Sequence, residues 1–99
     1  MFDRLDALLT SAHACVAGLD GALLSGADAA MALRKFAQLE QLGAAGRILL
    51  AKRVDETRAW DSDGSRNAAE WIAKVTGSTV GGAKDDLDTS WNLNDQPEV

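Results

Sequence analysis

Cysteine, histidine and proline each occur once in this 99-residue chain, and tyrosine does not occur. The single cysteine, Cys15, excludes an intrachain disulfide and any cysteine-based metal cluster. It sits among Ala14, Val16 and Ala17 and is expected to be a small buried thiol. The single histidine, His13, excludes sites that need several imidazoles. It falls off the apolar stripe of its segment and is expected at the surface. Ser11, His13 and Cys15 are close in sequence, but helical residues one or two apart face different ways. No catalytic constellation follows, and the chain is expected to be no enzyme and to need no cofactor or metal.

Long apolar runs are missing too. No stretch reaches the ~20 apolar residues of a membrane span. Asp3 and Asp6 stand where a secretory leader would be basic, so the expectation is a cytoplasmic protein with no membrane partner. Alternating apolar and polar residues are scarce, and five aromatic residues accompany an apolar share of 46%. That pattern excludes most all-β folds and a wholly disordered chain. Net positive charge is absent: the formal charge is −5. Residues 1–60 balance seven acids with seven bases, whereas residues 61–99 carry eight acids against Arg66, Lys74 and Lys84. An acidic surface of that kind repels phosphate backbones.

What is present is one dominant helical stretch, Ala29 to Trp60, free of proline and rich in Ala, Leu, Arg, Lys, Gln and Glu. These residues lose little freedom in a helix. Ser25 and Asp28 have the spacing of a capping box. Ala32, Phe36, Leu39, Gly43, Gly46, Leu50 and Val54 recur at steps of three and four and define one face. Each glycine costs about 1 kcal/mol relative to alanine within a helix. The stripe nevertheless keeps its phase across both, so a continuous helix is expected. Such a helix would be about 48 Å long, whereas a compact chain of this size has a radius of gyration of only ~13 Å. Apolar surface left uncovered on the helix predicts a homodimer. Phe36, Leu39, Gly43, Gly46, Leu50 and Val54 are the expected seam, and Gly46 the point of closest helix approach.

The remaining segments read as shorter helices. Phe2, Leu5, Leu9, Ala12, Val16 and Leu19 give a first helix that ends at Gly18. A short link then makes it an antiparallel neighbour of the long helix. Asp61-Ser62-Asp63-Gly64-Ser65 reads as a polar loop. Its acids partly match a calcium loop, but Ala59 would fill the first ligand position and offers no oxygen. Ser65 is the expected N-cap of a helix over 66–75, with Ala68, Trp71, Ile72 and Val75 inward and Gly77 as the stop. Ser78 or Thr79 then caps a last helix to about Asn92, marked by Val80, Leu87 and Trp91. Trp60 and Trp71 are expected core anchors, and Trp91 is expected to lie uncovered. The last two helices have a helix-turn-helix layout. Lys84 stands among Asp85, Asp86 and Asp88, which favours an ordinary helical hairpin over a DNA reader.

Leu42-Gly43-Ala44-Ala45-Gly46-Arg47, Gly64-Ser65-Arg66-Asn67-Ala68-Ala69-Glu70-Trp71-Ile72-Ala73, Thr76-Gly77-Ser78 and Pro97-Glu98-Val99 together resemble the 13E12 repeat family of actinobacteria and their phages. The resemblance covers roughly residues 29–99. It implies a helical domain of unknown function that is usually found upstream of an HNH endonuclease domain. It also implies that the chain is the N-terminal part of a longer family domain. The nuclease chemistry itself requires a histidine base and a metal held by further side chains, which one histidine cannot supply.

The expectation is therefore an all-α antiparallel bundle of about four helices with a helix-turn-helix-like C-terminal pair. It would form one domain, with the first helix and loop in 1–26, the long helix in 27–60, and a hairpin with a polar tail in 61–99. The expected role is non-catalytic oligomerisation or binding of a protein partner, with Trp91 added to the seam residues. The alternative is a nucleic-acid module using Arg66, Lys74 and Lys84 to assist an HNH nuclease.

Overall fold

A computed structural model describes residues 1–95 of the chain. The described residues are all-α, with four α-helices and no strand. These are α1 (Phe2–Ala17), α2 (Gly26–Thr57), α3 (Ala68–Thr76) and α4 (Val80–Asp95), with short 3-10 turns at Gly21–Leu23 and Ala59–Asp63. The Pro97-Glu98-Val99 element of the family resemblance lies outside the described residues. The chain forms two compact units, Met1–Ala37 and Gln38–Val99, whose boundary falls within α2.

In the first unit, α1 has Asp3 in its first turn, where a carboxylate favours the positive end of the helix dipole. It ends as expected at Gly18, whose N–H donates to the Ala14 carbonyl at 3.1 Å. Asp20 accepts from the Ala22 N–H at 3.1 Å, which starts the Gly21–Leu23 turn. Ser25 Oγ accepts from the Asp28 N–H at 3.1 Å and satisfies one of the unpaired donors that begin α2. No side chain in this unit is buried; Ala12, Ala29, Ala32 and Phe36 are half-covered. His13 is exposed, as expected. Cys15 is exposed rather than buried, because α1 as a whole buries nothing.

In the second unit, α2 runs unbroken through Gly43 and Gly46 and stops at Thr57, three residues short of Trp60. The stop is conformational: Arg58 takes a left-handed backbone, φ 56°, which L side chains adopt at a cost. The expected polar loop is instead a 3-10 turn that carries Trp60 into the interior. Gly64, at φ 84°, closes that turn.

Ser65 does not cap α3. Asn67 does, accepting from the Glu70 N–H at 2.8 Å. Ser65 is buried and donates to Asp63 at 2.7 Å. Gly77, at φ 68°, ends α3, and the Ser78 N–H reaches back to the Ala73 carbonyl at 3.1 Å. This is a Schellman-type stop. Thr79, rather than Ser78, caps α4, accepting from the Gly82 N–H at 3.0 Å. The hairpin of α3 and α4 closes over the C-terminal half of α2. Its core is Ala51, Ala69, Ile72, Ala73 and Ala83, with Trp71 and Leu87 packed against it. Four of the five core side chains are alanine. A methyl group is worth only about 0.8 kcal/mol on burial, so this core stabilises by close approach of backbones more than by apolar volume.

Candidate interaction surface

α4 is tied to α2 by side-chain hydrogen bonds. Ser90 is wholly buried. Its Oγ accepts from the Lys52 backbone N–H at 2.9 Å and donates to the Ile48 carbonyl. These two groups are four residues apart, the spacing of one rung of the α2 ladder. A hydroxyl between helices satisfies both without displacing the core. Beside it, the Trp91 indole Nε1 donates to Asp55 at 2.9 Å, and the Lys52 ammonium lies 4.7 Å from the Trp91 ring centroid. Lys52 and Asp55, three apart on α2, thus engage the face and the N–H edge of one indole. Trp91 was expected to lie uncovered; it is half-buried and engaged by α2. Sequence reasoning overlooked Ser90 as a packing residue. The signal was present, since Ala83, Leu87 and Ser90 share a helix face, but a polar residue in that register reads as solvent-facing.

A second polar cluster joins the segment after α2 to α3. The Asp63 carboxyl lies below the usual carboxylate range chiefly because the Ser65 hydroxyl donates to it, although partial desolvation opposes the shift. The Ser65 N–H and the Lys74 charge add to the lowering. Lys74 also donates to Ser65 Oγ at 3.2 Å and pairs with Glu70 at 3.7 Å. Arg66 pairs with the same Glu70 at 3.9 Å. The Arg58 guanidinium lies 5.1 Å from the Trp60 ring centroid. Trp60 is buried as expected, outside the alanine-rich cluster, with its indole Nε1 buried and unpartnered. Trp71 is only half-buried.

Trp71 is half-buried because it lines a groove of about 190 Å³ between α2 and α3. Leu50, Ala51 and Val54 form one wall, and Trp71, Ile72, Val75 and Thr76 the other. Arg47 and Asp86 complete the lining. The surface is almost wholly apolar, and Leu50 and Val75 remain 55% and 62% exposed. Two of the expected seam residues, Leu50 and Val54, meet in this groove. Leu39 is 51% exposed and Phe36 half-buried on the same stripe of α2. At Gly43 and Gly46, nothing in the chain would come within 4 Å of an added Cβ, so the close approach expected at Gly46 is not made by this chain's own helices.

Of the residues proposed for nucleic acid, Arg66 and Lys74 share Glu70 as a partner, and Lys84 is exposed. Among the described residues, no three His, Cys, Asp or Glu side chains are grouped to hold a metal ion, and no helix is long and apolar enough to cross a membrane. Compared with protein-family models, curated proteins and solved structures, the chain matches none.

Proposed function

We propose that this chain is a non-catalytic helical association module that pairs with a second copy of itself. One observation carries the reading: no residue before Ala51 is buried. Helices without tertiary cover are marginal in water at the length of α1, because nucleation is costly and packing supplies most helical stability. Yet α1 and the first half of α2 are continuous helix with large apolar side chains in solvent, including Phe2 at 71% and Leu33 at 69% exposure. Uncovered apolar surface on this scale marks an interaction site. A like copy is a fitting cover, because residues 1–60 balance seven acids with seven bases and two such surfaces do not repel.

Sedimentation equilibrium tests the reading. Twice the chain mass is the expected result, and a single-chain mass at every concentration would remove it. The nucleic-acid alternative is less supported, since Glu70 already engages two of its three bases. Salt-dependent retention on heparin would reverse that ranking. A non-catalytic segment of this kind also accords with the 13E12 resemblance, which implies a helical domain upstream of an HNH nuclease.

A further inference from the structure

We propose that two copies of the chain pair through the first unit, where α1 and residues 26–37 of α2 from each copy form an intermolecular four-helix bundle. The inference rests on the self-association reading and adds which helices meet and that the second unit takes no part. Phe2, Leu5, Leu9, Ala12 and Val16 alternate strictly by three and four along α1. That alternation is the seam of a helix packed lengthwise against other helices. Ala29, Ala32 and Phe36 repeat it on α2. Within one chain the cover stops part-way. Ala12, Ala29, Ala32 and Phe36 are half-covered, whereas Phe2, Leu9 and Val16 are each more than half exposed. A pair of helices shields each stripe on one side, and four helices close around it.

Area and charge both favour a second copy as the cover. Residues 1–37 expose eleven large apolar side chains, from Met1 to Leu33. They present on the order of 1,000 Å², at the roughly 100 Å² that burial of one such side chain removes from water. A stable interface takes ~800 Å² from each partner, so the first unit supplies enough without the rest of the chain. The same residues carry four acids and three bases. Anionic lipid and phosphate backbones call for a cationic flank, and α1 offers Arg4 alone beside Asp3 and Asp6. A second copy brings an apolar stripe of the same period and nearly no net charge, so the two surfaces match without repulsion.

The test uses the full chain, read by sedimentation equilibrium. Leu9→Glu and Val16→Glu each place a carboxylate inside the bundle twice per dimer and are expected to weaken pairing roughly a hundredfold or more. Thr10→Glu, exposed on the same helix but off the stripe, and Val75→Glu, exposed on α3, are expected to leave the dimer intact. Trp60, Trp71 and Trp91 all lie in the second unit, so unchanged tryptophan emission in every variant reports that unit still folded. A wild-type dimer that tolerates Leu9→Glu and Val16→Glu overturns the bundle and leaves self-association standing. A dimer dissolved by Thr10→Glu or Val75→Glu as strongly as by Leu9→Glu does the same. A shift in tryptophan emission on Leu9→Glu overturns the independence of the second unit. A wild-type monomer at every concentration overturns both readings.

Discussion

Ser90 shows how much one hydroxyl can decide. Its oxygen lies between two backbone groups of α2, where a hydrophobic residue would leave the contact dry but crowded. Ser90→Ala removes both hydrogen bonds, while the Ile48 carbonyl and Lys52 N–H keep their helical geometry. The expected cost is about 1 kcal/mol. Ser90→Val loses the same hydrogen bonds, puts one methyl in place of the hydroxyl and adds a second in a site with no exposure, and is expected to cost more, by about 1–3 kcal/mol of overpacking. Urea denaturation of the two variants checks the order, and a valine variant as stable as wild type would contradict the close approach. Trp91 belongs to the same site. Its indole ring is held by Lys52 and Asp55 through a cation–π contact and a hydrogen bond, so its half-burial reflects polar partners as well as apolar ones.

At the scale of the element, α2 keeps its apolar phase through two glycines, and the helix is continuous there. Gly43 is exposed, and no neighbouring atom would meet a Cβ. Gly43→Ala is therefore expected to stabilise the folded chain by roughly 0.5–1 kcal/mol through helix propensity and loss of unfolded-state freedom. The melting temperature measures this, and a fall would mean that something outside the chain needs the space. Helix periodicity and the Ser25, Gly18 and Gly77 signals were readable because each acts within one turn of chain. The start of α3 was misread because Ser65 and Asn67 are both good caps by type. Burial of Ser65 against Asp63 and Lys74 leaves the capping role to Asn67.

At the scale of the whole molecule, the core is confined to the second unit and is built largely of alanine. If dimerisation supplies the missing apolar cover, stability is linked to protein concentration. The melting temperature is then expected to rise roughly 3–6 °C for each tenfold increase in concentration. Calorimetry over two decades of concentration checks this, and a constant value would count against the association reading.

The sequence by itself determined the all-α class, the single long helix, the helix stops at Gly18 and Gly77 and the stripe Leu39–Gly43–Gly46–Leu50–Val54. Those features depend on propensity, capping and a period of 3.6, all of which act over a few residues. Only the tertiary structure decided that Ser90 bridges to α2, that Asp55 and Lys52 hold Trp91, that Cys15 faces solvent, and that Leu50, Val54 and Trp71 share a groove. Each of these depends on which helix face another segment covers. For Ser90 and Trp91 the partners on α2 are 38 and 36 positions away, and no local pattern encodes such coverage.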